Sequence, residues 1–276
     1  MIAIVAFFGL FAAFWLLFLA CEPALEHVLK RTAHWTAAFR YRDYVPVFTL
    51  IAVGIAVAAL AGDGFLDIAE RVHAESPRLR EIDTRVHAWA RFTHTDGSTA
   101  FFVLMATIGG PLFYSIVIAC TVAYLCFVKR YRWAIYLAFT TGVGGLLNLA
   151  LKGFFERARP ELAEALRQAH GYSFPSGHAM GSTVVLGALS YLALRTLPRW
   201  RWRAAALALA CTLILAISTS RIYLGVHWIS DVGAGICAGL IWVVTATVAY
   251  ETFRRIRMVR AIARHTTSSL RTSRGE

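Results

Sequence analysis

The sequence predicts an all-α, polytopic membrane helix bundle, and three observations carry that expectation. Of 276 residues, 58% are hydrophobic and only 16% are charged, whereas a soluble domain carries about a quarter charged residues. The apolar residues arrive in long uninterrupted runs. The charges between the runs are sorted by sign.

Seven runs lack a charged side chain: 1–21, 44–62, 101–128, 133–151, 179–194, 204–220 and 232–250. Runs near 20 residues match the hydrocarbon thickness of a bilayer, and the two shorter ones reach if polar ends extend the helix. Seven spans leave no room for a separate soluble domain. The expected organisation is an N-terminal span and basic connector over 1–43, a membrane core over 44–253, and a basic tail over 254–276.

The net charge of +12 invites a nucleic-acid reading, which its distribution excludes. Lys129, Arg130 and Arg132 fill one short turn, and Arg195, Arg199, Arg201 and Arg203 another. Arg254, Arg255, Arg257, Arg260, Arg264, Arg271 and Arg274 follow the last run, while residues 63–98 carry seven acids against five arginines. That is the positive-inside pattern, which sets orientation. With the tail inside, alternation puts 221–231, 152–178 and 63–98 outside, and 22–43 inside with Met1 outside. The tail is expected to fray against anionic headgroups.

The first run lacks the basic start of a secretory signal. Although Phe18-Leu19-Ala20-Cys21 resembles a lipoprotein cleavage site, cleavage there would put Glu22 on the wrong side, so a retained span is expected. The five cysteines form no C-x-x-C pair and read as small buried hydrophobes. Residues 63–98 mix apolar and charged residues at helical spacing and predict one or two amphipathic helices in the interface. These could serve as a solvated cap or as a lip for lipid access. Gly109-Gly110-Pro111 predicts a kink.

Two outer loops collect the unusual polar residues. Lys152 and Arg159 are seven apart, so on a helix both point one way, and Pro160 is expected to end that helix. Two such cations suit a phosphate, although snorkelling basics would look the same. Pro175-Ser176-Gly177-His178 directly precedes a run. Free N–H groups at a helix start form an anion site, or Ser176 and Gly177 are an ordinary cap. His227 and Asp231 are four apart, hence neighbours on a helical face. A carboxylate on one imidazole nitrogen fixes the tautomer and frees the other, or Asp231 is a favourable N-terminal charge. Arg221 sits six residues before His227. The inferred topology puts all of these on one side.

Lys152-x6-Arg159-Pro160, Pro175-Ser176-Gly177-His178 and Ser220-Arg221-x5-His227-x3-Asp231 together resemble the three-part signature of the type 2 phosphatidic-acid phosphatase superfamily, in its bacterial membrane branch. The resemblance covers 152–231, fits a six-helix core, and leaves the N-terminal span as an addition. It implies a metal-independent phosphatase acting on a membrane lipid, with no cofactor. His227 would be the nucleophile oriented by Asp231, and His178 the general acid and then base. Lys152, Arg159, Arg221, Ser176 and the Gly177 amide would hold the phosphate oxygens. No D-x-D or H-E-x-x-H cluster suggests a metal.

Undecaprenyl diphosphate is the favoured substrate at this point, with phosphatidylglycerol phosphate, phosphatidate and lipid A phosphates as the others the family suggests. Transfer of the phosphate to a second lipid is an alternative that the residues leave open. A transporter would carry charge in mid-span, and here charge clusters at span ends. Vanadate-bearing haloperoxidases of the same superfamily are soluble, unlike this chain. Alanine and arginine usage points to a bacterial inner membrane, with the site facing the periplasm. Placed in a cysteine-free background, Gly171→Cys should label with an impermeant thiol reagent added outside and Trp200→Cys should not. The reverse pattern would invert the topology.

Overall fold

The computed structural model describes residues 2–36, 45–160, 166 and 170–273, with side chains over 2–23, 51–160, 166 and 170–257. Among the described residues the chain forms helices and no strand. α1 (Ile2–Thr36), α2 (Val45–His73), α6 (Tyr131–Phe155), α7 (Gly177–Thr196), α8 (Trp200–Tyr223) and α9 (Ile229–Ser273) are long enough and apolar enough to cross a bilayer. α4 (Asp96–Ile108) and α5 (Pro111–Phe127) are long enough and apolar enough only as a pair, bent by 48°.

The bend lies where Gly109-Gly110-Pro111 predicts it. Gly109 closes α4, Gly110 opens α5 and Pro111 takes its first position, because proline has no N–H to continue the ladder. The chain leaves α3 (Pro77–Phe92) and enters α4 through a capping box between Thr95 and Ser98.

Two expectations need correcting. The first third of the acidic 63–98 segment is no separate element, because α2 carries on through it to His73. An i,i+4 pair between Asp67 and Arg71 spans its last turns. Only α3 is a distinct amphipathic helix, burying Asp83 and Ala90 and exposing Ile82, Trp89 and Phe92. Second, the basic tail is helical, since α9 continues unbroken to Ser273. The connector around Arg40 and Arg42 lies outside the described residues.

α7 is the central helix, flanked by α6, α8 and α9, while α2 lies along α9 and α5 along α6. Leu137, Ala188, Leu192 and Val243 interlock α6, α7 and α9. The added helix α1 docks on α8. The indole of Trp200 donates to the Phe18 carbonyl at 2.9 Å, and that of Trp15 to the Arg201 carbonyl at 3.3 Å. Phe7 also meets Phe101 of α4 edge-on.

The α7–α9 contact is closest where α9 carries Gly235 and Gly239, the small-x-x-x-small spacing that lets membrane helices approach. A Cβ at Gly235 would lie 2.7 Å from the Ser176 carbonyl oxygen, and one at Gly239 2.7 Å from Cβ of Thr183. That closeness allows the Ser176 N–H to donate to the Asp231 carbonyl at 2.9 Å, tying the start of α7 to the start of α9. Gly235→Ala is therefore expected to cost about 1–3 kcal/mol by overpacking and to cut activity. The control is Gly142→Ala, where a Cβ meets nothing within 4 Å. Thermal unfolding midpoints in detergent check this, and equal midpoints for the two variants would refute it.

Candidate active site

α8 ends beside the site in a Schellman motif. Gly225, at φ 73°, donates to the Ile222 carbonyl, and Val226 donates to that of Arg221. A side chain at Gly225 would strain that turn. The motif reverses the chain over six residues, so Arg221 on the last turn of α8 and His227 just beyond it face one space.

α9 starts at Ile229, so His227 precedes the helix instead of sharing a face with Asp231. The pair forms nonetheless. Asp231 takes the third position of α9 and reaches back, as a capping-box acid does, to accept from the Trp228 N–H at 3.0 Å. The same Oδ2 faces Nδ1 of His227 at 3.3 Å and accepts from the Ser173 hydroxyl.

Lys152 and Arg159 do not share a helix as their spacing suggests. α6 stops at Phe155, and Glu156 takes the left-handed conformation at φ 46°, well before Pro160 could act. The turn sends Arg159 back over His227. Its Nη1 donates to the Val226 carbonyl at 2.8 Å and to Nε2 of His227 at 3.1 Å. Its other nitrogens donate to carbonyls of His170, Gly171 and Tyr172. Lys152 donates to the Tyr172 and Ser173 carbonyls, so both cations grip the 170–173 loop.

Arg159 is an obligate donor, so Nε2 of His227 must accept, which leaves the proton on Nδ1 to be donated to Asp231. The Nε2 lone pair, engaged by Arg159, therefore faces the cavity. Burial keeps this ring neutral, with its pKa pushed down to about 4. Desolvation, helped by the nearby charges of Arg159 and Arg221, outweighs the Asp231 hydrogen bond and charge. Burial also lowers the pKa of Arg159.

Of the eight residues expected from sequence, Lys152, Arg159, Gly177, His178, Arg221 and His227 line one cavity of about 560 Å³. Asp231 stands fully buried behind His227. Ser176 caps the start of α7, and its buried hydroxyl makes no hydrogen bond to the described residues. Among the described residues no trio of His, Cys, Asp or Glu could hold a metal ion. Lys152, Arg159 and Arg221 supply the cavity's fixed positive charge.

Four residues beside the site were not anticipated. Ser173 bridges the His227–Asp231 pair. Arg157 donates through Nη1 to Asp231 Oδ1 at 2.6 Å and to the Ser230 hydroxyl at 2.7 Å. Its Nη2 donates to Asp83 Oδ2 at 2.7 Å. Arg157 stands in Glu-Arg-Ala-Arg-Pro, two residues from Arg159, and that third cation was the available signal.

Residues 133–255 match the family model of the PAP2 superfamily, a stretch that contains all eight residues. Phosphatidylglycerophosphatase B of Bacillus subtilis (strain 168) is 29% identical over 167 residues, covering 60% of this chain and 72% of that protein. A crystal structure of a transmembrane PAP2 type phosphatidylglycerolphosphate phosphatase from Bacillus subtilis superposes with a TM-score of 0.63 at 24% identity. It covers 69% of this chain and 94% of that one, a likeness of fold.

The lone pair of His227 should remain unprotonated well below the ordinary imidazole midpoint near 6.5. In ¹⁵N NMR of ring-labelled protein in detergent, the His227 imidazole should stay neutral down to pH 5 and take up its proton only as pH falls further. A midpoint near 6.5 would show that burial does not control this ring.

Proposed function

We propose that the chain is a membrane-embedded phosphatase of the PAP2 superfamily and that it hydrolyses a lipid phosphate or diphosphate through a phosphohistidine at His227. The observation that carries this reading is a buried imidazole held by a carboxylate, its Nε2 facing a cavity ringed by three cations. Phosphoryl transfer asks mainly for such positioning and charge stabilisation.

The steps follow from the residues. Lys152, Arg159 and Arg221 hold the non-bridging oxygens. The Ser176 hydroxyl and the Gly177 N–H at the start of α7 add neutral donors. Arg159 transfers its hydrogen bond from Nε2 to the phosphate, and Nε2 attacks phosphorus. The P–O bond to the lipid breaks as His178 gives its proton to the leaving oxygen. Asp231 accepts from Nδ1 and stabilises the positive charge that the ring gains. His178, now neutral, takes a proton from water, whose oxygen attacks phosphorus. The N–P bond breaks, inorganic phosphate leaves and both histidines are restored.

A lipid leaving group is favoured by the second cavity, of about 410 Å³, which shares Pro111, Gly177 and His178 with the first. It runs between α5, α6 and α7 past Ile118, Leu149, Val184 and Val185, an apolar path for a tail whose phosphate lies in the clamp. The named relative makes phosphatidylglycerol phosphate the first substrate to test, with undecaprenyl diphosphate second. The positive-inside distribution favours a site on the outer, periplasmic face of an inner membrane.

Purified protein in detergent should release phosphate from one or both lipids, with excess EDTA present, and orthovanadate should compete as a phosphate mimic. Loss of activity on chelation, restored by Mg²⁺ or Zn²⁺, would refute the cationic clamp. His227→Ala should abolish turnover and acid-labile phosphoenzyme together. His178→Ala should cost about 10²–10⁴-fold, and that cost should shrink, relative to wild type, on a nitrophenyl phosphate whose leaving group needs little protonation. Equal rescue of the two variants would overturn the assignment of roles.

A further inference from the structure

α3 lies outside the membrane-crossing helices, yet it buries a carboxylate. Asp83 is 1% exposed. Its Oδ1 accepts from the Ser230 N–H at 3.1 Å, and both oxygens accept from the Ser230 hydroxyl, at 2.8 and 2.7 Å. Its remaining partner is the Arg157 guanidinium, whose other arm holds Oδ1 of Asp231. The guanidinium also lies 5.9 Å from the Trp228 ring centre. Asp83, Arg157, Asp231 and His227 thus form one line of touching groups, in which a single cation stands between two buried carboxylates.

We infer that Arg157 and Asp83 are positioning residues for the phosphatase reaction: Arg157 holds the Asp231 carboxylate so that Oδ2 meets Nδ1 of His227, and Asp83 holds Arg157. Arg157 is not a phosphate ligand here. It does not line the cavity that holds His227 and His178. It borders an outer cavity of about 500 Å³ with Asp83, Leu79 and Trp228. A planar fork suits this task, since its two arms fix two carboxylates at a set angle. A carboxylate with no exposure is less costly with such a partner. Without it, Asp231, still held ionised by its bonds to Trp228, Ser173 and His227, would turn its hydrogen-bonding edge, and the His227 tautomer would no longer be set. Asp83 stops Arg157, two residues from Arg159, from swinging toward the phosphate.

The proposal rests on the reading of His227 as nucleophile, so His227→Ala is assayed alongside. The test uses full-length Arg157→Gln, Arg157→Lys and Asp83→Asn proteins. Outer partners of metal ligands typically contribute about 10–100-fold, and a partner of the same kind behind His227 is expected to contribute on the same order. Arg157→Gln should lower kcat at the upper end of that range while KM and orthovanadate inhibition stay within about threefold. Arg157→Lys should recover part of the loss, and Asp83→Asn, which keeps the Ser230 hydrogen bonds, should fall at the lower end.

The pH response separates positioning from mere support. Around His227, Asp231 of α9, Arg159 of the loop, Arg221 of α8, Lys152 of α6 and His178 of α7 are unchanged in every variant. Removing the Arg157 cation should raise the His227 protonation midpoint, and neutralising Asp83 should lower it. Should Arg157→Gln fail to elute as folded protein, Arg157→Lys and Asp83→Asn decide. With His227→Ala inactive, kcat within twofold of wild type and an unmoved midpoint overturn the proposal and leave the nucleophile standing. A rise in KM and weaker vanadate inhibition at unchanged kcat would instead make Arg157 a phosphate ligand. Activity retained by His227→Ala would sink the nucleophile itself.

Discussion

A fully buried carboxylate is the constraint on which the rest of the structure depends. An ionised Asp231 out of contact with water would be costly unless every lone pair had a donor. The chain meets that demand with four donors. Trp228 donates from the start of α9, His227 from the turn before it, and Ser173 and Arg157 from between α6 and α7, while Asp83 steadies Arg157 from α3. The backbone carbonyl of Asp231 takes the Ser176 N–H as well, which sets the start of α7 against it. Satisfying one charge therefore assembles most of the site.

The bilayer explains why that site sits where it does. Helix interiors in hydrocarbon must satisfy their backbone internally, and charge is expensive there. The ionisable machinery consequently collects at helix ends: Lys152 on the last turn of α6, Arg221 on the last turn of α8, and Asp231 on the first turn of α9. Helix starts offer free N–H groups, and Ser176 with Gly177 brings one such start to the same place. Close packing through Gly235 and Gly239 lets two helix starts meet within one hydrogen bond.

These physical demands differ in how plainly they are written in sequence. A bilayer asks for long uncharged runs, so the crossings were readable, as was the bend at Gly109-Gly110-Pro111. The eight expected residues, six of which line one cavity, were readable as three local blocks, because each block is a turn or cap whose spacing is local. The helix end at Phe155 was not, since Glu156 adopts a left-handed conformation that no glycine announces. Nor were Ser173, Arg157 and Asp83. Ser173 meets Asp231 across 58 residues, Arg157 meets Asp83 across 74, and Asp83 meets Ser230 across 147. Pairs so distant leave no periodicity. Only a fold can bring them together.

The same division bears on what the chain can select. The eight residues expected from sequence all lie within 133–255, the stretch that the family model matches. Much of the apolar wall does not: Ala106, Leu112, Phe113, Tyr114 and Ile118 belong to the bent pair α4 and α5, before that stretch begins. α1 touches α4 through Phe7 and Phe101, and touches α8 as well, so the added helix packs against an element that carries part of this wall. Phosphate recognition asks for fixed charge and tolerates little change. A hydrocarbon tail asks only for apolar space of the right length and width, which many side chains can provide. On the proposed function, side chains along a hydrocarbon tail could vary while those around the phosphate stay put, and selectivity among lipid phosphates would fall to α4 and α5.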